Sequence, residues 1–163
     1  MKAKKINILL VDDNQKFLKS IAERSRLKGF NVFTASSGKQ AIEVARKQSI
    51  HVAVVDQSMP DMEGLLVITK LKGIIPDIQT ILLTGHGDEK LKEATEALNS
   101  SYFEKEDMGK FWGFVRKVLQ GLETSMAAAG AASRTKIMSA LMPDRCWCFI
   151  ESPHSRDPAL SAS

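Results

Sequence analysis

Asp12 and Asp13 follow the apolar run Ile6-Asn7-Ile8-Leu9-Leu10-Val11, and Asp56 closes the run Val52-Ala53-Val54-Val55. Thr84 ends a third such run beginning at Ile78, and Lys105 stands just beyond Ser101-Tyr102-Phe103. Carboxylates crowded into one crevice repel one another, which raises at least one pKa unless a cation relieves them. A hard divalent ion with oxygen ligands, most naturally Mg²⁺, is the simplest relief. Two aspartates suffice to hold it and leave the third as a nucleophile. Carboxylate attack on a phosphoryl group gives an aspartyl phosphate. A lysine and a hydroxyl then neutralise and position the remaining phosphoryl oxygens. Gly85 removes a side chain where backbone N–H groups can approach a phosphate.

These residues share a crevice only if the chain forms a particular sheet. Val52 to Val55 shows no polar alternation, the pattern of a strand buried on both faces, as in parallel sheets. Ile6–Val11, Phe30–Ala35, His51–Asp56, Ile78–Thr84 and Ser101–Phe103 read as strands. Helices are expected between them. Asn14 caps the first, which runs to about Lys28 with Phe17, Leu18, Ile21, Ala22 and Leu27 on its apolar face and Gly29 as its stop. Ser36-Ser37-Gly38 opens the second, and Gly64 to Leu71 forms the third, broken by Gly73 and Pro76. The fourth covers about Asp88 to Leu98. The last, from about Asp107 to Leu122, carries Met108, Phe111, Val115, Val118 and Leu122 on one stripe, with Trp112 and Phe114 beside it. Strict alternation of strand and helix argues for a doubly wound parallel α/β sheet, and five strands suggest the flavodoxin-like order 2-1-3-4-5. Ligands bind such sheets at the carboxyl ends of the strands, where all five polar groups fall.

A hydrophobic content of 44% and a charged content of 26% are those of an ordinary soluble globular protein. No apolar run approaches the roughly 18 residues of a membrane span, and the apolar stretch after Lys5 is too short for a signal peptide. A net charge of +4 without a concentrated basic stripe argues against direct nucleic-acid binding. Cys146 and Cys148 give no disulfide framework, which fits a cytoplasmic protein. With His154 they lack a fourth ligand and the usual zinc spacing. The folded domain is expected to span residues 1–125. Residues 126–163, rich in Ala, Ser, Gly and Pro, read as a mostly disordered tail that Ala127–Ala132 extends a helix into only briefly.

The segments Val11-Asp12-Asp13, Val55-Asp56-Gln57-Ser58-Met59-Pro60-Asp61-Met62-Glu63-Gly64, Leu83-Thr84-Gly85-His86-Gly87-Asp88 and Tyr102-Phe103-Glu104-Lys105 resemble the receiver domains of two-component response regulators. The resemblance covers about Ile6 to Leu122, and four motifs in this order and spacing are highly specific. It implies that Asp56 is the phosphoacceptor, and that Asp13 ligates Mg²⁺ directly with the backbone carbonyl of Ser58. It further implies that Asp12 holds a metal-bound water, that Lys105 pairs with the phosphate, and that Thr84 hydrogen-bonds to it. Tyr102 falls at the family's aromatic switch position. Two departures stand out: Glu106 follows the lysine where the family usually has proline, and Leu98-Asn99 replaces the usual Gly-Ala. Asn99 can still adopt a left-handed cap, and the Lys105–Glu106 peptide is expected to be trans.

Ser58 and His86 flank the phosphate entrance by this mapping and can tune hydrolysis of the acyl phosphate. His51 receives no role. The implied partners are a sensor histidine kinase or phosphotransfer protein and a downstream target protein, met on a surface framed by Lys90, Glu104 and Lys110. No membrane partner is expected, and no turnover of an external substrate beyond Mg²⁺-dependent self-phosphorylation and self-dephosphorylation. Two alternatives remain open: the receiver part of a DNA-binding regulator whose output domain is missing, and an aspartyl-nucleophile phosphatase. The phosphatase signature is an Asp-x-Asp after the first strand, whereas Asp12 and Asp13 are adjacent.

Overall fold

The computed structural model describes residues 5–131 of the 163-residue chain. Strands and helices alternate throughout: β1 (Asn7–Val11), α1 (Gln15–Leu27), β2 (Asn31–Ala35), α2 (Gly38–Lys47), β3 (Val52–Asp56), α3 (Gly64–Ile74), β4 (Gln79–Thr84), α4 (Glu89–Ala97), β5 (Ser101–Glu104) and α5 (Met108–Ala131). The strands form one sheet in the order β2-β1-β3-β4-β5, every neighbouring pair parallel, as the alternation predicts. Residues Met1–Thr124 form one unit and Ser125–Ser163 another; of the second, only the end of α5 lies among the described residues. The expectation of a disordered tail falls, from residue 132 onward, outside them. Cys146, Cys148 and His154 lie outside them too.

Every residue of β3 is buried, as a central strand covered on both faces requires. Alternate residues serve opposite faces. Leu9, Val11, Ala53, Val55 and Leu82 join Ala41 and Ala45 of α2 and Val67, Ile68 and Leu71 of α3 in one cluster. Leu10, Val54 and Leu83, of the other parity, meet Leu18 and Ile21 of α1 around a small void. Such a core fixes the strand register, and with it the height at which each strand end delivers its polar residue.

The helix starts follow side-chain chemistry. The Asn14 side chain accepts the Phe17 N–H at 3.2 Å, the Ser37 hydroxyl accepts that of Gln40 at 3.2 Å, and Asp88 accepts that of Leu91 at 2.8 Å. Gly29, at φ +94°, and Asn99, at φ +50°, take the left-handed turns that end α1 and follow α4.

Three expectations need correction. Leu27 is 89% exposed rather than on the apolar face of α1. It stands nine residues beyond Leu18, about two and a half helical turns, and so points the opposite way. Helix α3 does not break at Gly73 but continues to Ile74. A helical glycine costs only about 1 kcal/mol, which burial of Val67, Ile68 and Leu71 exceeds, and Pro76 sets the actual limit. Helix α5 runs past Leu122 to Ala131, and among its described side chains the buried ones are Phe111, Trp112 and Val115, so Trp112 belongs to the inner stripe.

Candidate functional site

The parallel register aligns the ends of β1, β3 and β4. Val11 pairs with Val55, so Asp12 and Asp56 leave neighbouring strands at one level, and Asp56 pairs with Leu83 beside Thr84. One carboxylate oxygen from each of Asp12, Asp13 and Asp56 lies within 4.8 Å of the others. Asp12 and Asp56 are buried and Asp13 is exposed. Lys105 enters from the end of β5, its backbone N–H donating to the Thr84 carbonyl at 2.7 Å. Its Nζ stands 2.6 Å from Asp12 Oδ2 and 2.9 Å from Asp56 Oδ1. Glu106 in place of proline does not keep the lysine out of the cluster, and the Lys105–Glu106 peptide is trans.

The second carboxylate oxygens of Asp12 and Asp56 are also held. Asp12 Oδ1 accepts the Asn14 N–H at 2.8 Å, and Asp56 Oδ2 accepts the Ser58 N–H at 3.1 Å. Burial pushes the Asp56 carboxyl above its ordinary pKa, and the charges of Asp12 and Asp13 push the same way against Lys105. Burial works to lower the Lys105 pKa, but hydrogen bonds and charge from Asp12 and Asp56 outweigh it and raise it. A single ammonium among three carboxylates leaves an excess of negative charge. The donors present are hard oxygens at close range, the set a small divalent cation takes, so the residues fit such an ion.

Thr84 and Tyr102 lie on adjoining strands, in the pairing Leu82 to Tyr102 and Thr84 to Glu104. The Thr84 hydroxyl donates to the His86 carbonyl at 2.7 Å and accepts the His86 N–H at 3.3 Å. His86 itself is exposed. Tyr102 is half-buried against the core, its hydroxyl donating to Glu104 Oε1 at 3.2 Å. A Cβ built on Gly87 would overlap that hydroxyl, so the missing side chain of Gly87 makes the space the tyrosine fills. Burial, then the nearby Glu104, raises the Tyr102 pKa.

Two contacts at this end of the sheet escape sequence reasoning. Phe17 places its ring 4.6 Å from Lys105 Nζ. Asp61, in the loop after β3, accepts the N–H groups of Gly38 and Lys39 at 3.1 Å each and so caps α2. Burial acts to raise the Asp61 pKa, but the N–H groups of Lys39, Gly38 and Asp61 itself, with the Lys39 charge, together outweigh it and lower it. Gly64 closes the same loop, since a Cβ there would strike the backbone of Asp56 and Gln57.

The family model for the response regulator receiver domain matches residues 8–110. The chain belongs to the response regulator receiver family. This receiver is 38% identical over 79 residues to the probable transcriptional regulatory protein TcrX of Mycobacterium tuberculosis, across 48% of this chain and 34% of TcrX. It is 29% identical over 103 residues to the transcriptional regulatory protein GlrR of Escherichia coli, across 63% of this chain and 23% of GlrR. The receiver thus spans only 34% and 23% of the length of these two regulators. It is 27% identical over 114 residues to sporulation initiation phosphotransferase F of Bacillus subtilis, across 69% of this chain and 92% of that protein. A solved receiver domain from Methanospirillum hungatei has the same fold, with a TM-score of 0.69 at 21% identity over 75% of this chain and 99% of that one.

Proposed function

We propose that this receiver, occupying residues 1–125, is the phosphoacceptor module of a two-component phosphorelay and that Asp56 is the residue phosphorylated. The observation that carries the reading is the buried Asp56 carboxylate at the end of β3, bridged by Lys105 to Asp12 within a three-carboxylate cluster. One Asp56 oxygen attacks phosphorus, forming the new P–O bond. The bond from phosphorus to the leaving group breaks, and that group departs with the electron pair, as a histidine imidazole or as acetate from a small donor. Lys105 gives up its carboxylate contacts to pair with a phosphoryl oxygen. The Thr84 hydroxyl turns from the His86 carbonyl to donate to another. Asp12, Asp13, Asp56 and the Ser58 carbonyl are the groups that would hold Mg²⁺. When bound, the ion neutralises charge developing on the phosphoryl oxygens.

Movement of Thr84 vacates space beside Tyr102, making the pair a two-state element that phosphorylation biases. The donor is a sensor histidine kinase or phosphotransfer protein, and the output is contact with a downstream protein. Among the described residues no helix is long and apolar enough to cross a membrane, which is compatible with a cytoplasmic site of action. A second reading, as the receiver part of a transcriptional regulator, draws on the names of TcrX and GlrR and on the small share of each that this chain spans. The adjacent placement of Asp12 and Asp13 speaks against an aspartyl-nucleophile phosphatase. Incubation with acetyl phosphate and Mg²⁺, followed by intact mass, tests the proposal. A single adduct of about 80 Da on the wild type and none on Asp56→Asn is expected. Full labelling of Asp56→Asn contradicts it.

A further inference from the structure

We infer that Phe17 is a positioning residue for Lys105, its ring face holding the ammonium at the site once the carboxylates are claimed by a metal ion. The inference rests on the role given to Lys105 above. Among the described residues three groups meet the Lys105 ammonium: Asp12 at 2.6 Å, Asp56 at 2.9 Å and the Phe17 ring at 4.6 Å. The two carboxylates are also metal ligands in the proposed mechanism, so a bound cation both takes them and repels the lysine. The ring is the one neighbour of the three that does not exchange. Its quadrupole attracts a cation without offering an oxygen that a hard divalent ion would compete for.

The ring is itself well placed. Phe17 lies in the first turn of α1, where its backbone N–H is fixed by the Asn14 cap. With Asp12 and Asp56 it lines the void beneath the site. Phe17 is only half-buried, whereas Leu18 and Ile21 of the same helix are 5% and 3% exposed. Core packing therefore does not account for an aromatic at this position. A leucine would cover similar surface but present no negative face to the ammonium. Lysine, a compact charge on a flexible stem, otherwise has little to keep it over the site.

The test keeps shape and varies electrons. Phenylalanines carrying one, two and three ring fluorines, incorporated only at position 17, weaken the quadrupole stepwise in a nearly unchanged volume. Labelling by acetyl phosphate at saturating Mg²⁺ should slow along the series, reaching about three- to fivefold below wild type, the scale of a partly exposed cation–π contact. Phe17→Leu should slow to a similar degree, Phe17→Tyr should stay near wild type, and the Mg²⁺ concentration at half-maximal rate should hold within about twofold. A rate unchanged across the fluorinated series overturns the inference, as does a fall explained wholly by weaker Mg²⁺ binding. Wild-type protein that takes no label refutes the phosphoacceptor reading itself, and the role of Phe17 falls with it.

Discussion

Replacing Asp56 with asparagine should make the metal-free receiver more stable at neutral pH, although it removes an ion pair. Asp56 faces Asp12 and Asp13 with ligand oxygens within 4.8 Å and faces Lys105 Nζ at 2.9 Å. At an effective dielectric of about 20, each like-charge contact at that range costs about 3.5 kcal/mol, while the lysine returns about 6 kcal/mol. Counting its hydrogen bond, Lys105 outweighs the two repulsions, and the lost hydration of the buried Asp56 carboxylate, the largest cause of its raised pKa, tips the balance the other way. Screening of the exposed Asp13 takes part of this back, leaving a gain of about 1 kcal/mol, or roughly 2–4 °C in Tm for a chain of this size. The pH dependence follows from the raised pKa of Asp56, due first to its burial. As pH falls through the unfolded value of about 3.9 the carboxyl becomes protonated in folded and unfolded chains alike, and its cost to the fold fades. As pH rises through the elevated folded value, ionisation imposes the penalty that asparagine avoids. Urea unfolding followed by far-UV circular dichroism in EDTA, at about pH 4 and pH 7.5, measures the difference. An Asp56→Asn protein less stable than wild type at the higher pH, or equally favoured at both, refutes the reasoning.

Adding Mg²⁺ should stabilise the wild type by about 1.4 kcal/mol for each tenfold excess over its dissociation constant. Asp13→Ala should weaken that binding by at least about tenfold in calorimetric titration, since it removes a charged oxygen donor. Gly87→Ala should drive Tyr102 from its place without phosphorylation, because the added Cβ overlaps the hydroxyl. Tyr102 is the only tyrosine, so a single shifted ¹⁹F resonance of fluorotyrosine reports it. Gly64→Ala should cost about 3 kcal/mol in urea unfolding, the upper end for overpacking, because the obstacle is the Asp56 and Gln57 backbone. Asp61→Ala should lose about 0.5–1 kcal/mol at neutral pH. Because the folded pKa of Asp61 lies below its unfolded value, that contribution is present above the unfolded value and disappears as pH falls through the folded one.

The candidate site residues were legible because each sits at or just past the end of a strand, and strand ends can be read from where an apolar run stops. Asp12, Asp56, Thr84 and Lys105 need only the sheet order to be brought together, and the strict alternation supplies that order. Caps were legible for the same local reason: Asn14 and Ser37 act on N–H groups three residues on. What stayed hidden depends on distance along the chain. Asp61 caps a helix that starts 23 residues earlier, and no local pattern announces that. Phe17 has the right spacing for the apolar face of α1, but periodicity cannot say that its ring leans over the strand ends toward a residue 88 positions away. Leu27 has the hydrophobic identity of a core residue but an angular position that turns it to solvent, whereas Trp112, beside the stripe by spacing, is buried next to Phe111.

If Asp56 is the phosphoacceptor proposed above, no other carboxylate of the cluster should carry the phosphoryl group. Borohydride reduction of acetyl phosphate-treated protein converts an aspartyl phosphate to homoserine, and peptide mass spectrometry then locates the altered residue. Phosphorylation of Asp56 should yield homoserine at position 56 alone, with Asp12 and Asp13 unchanged. Homoserine at position 12 or 13, or a labelled protein with none at position 56, would contradict it.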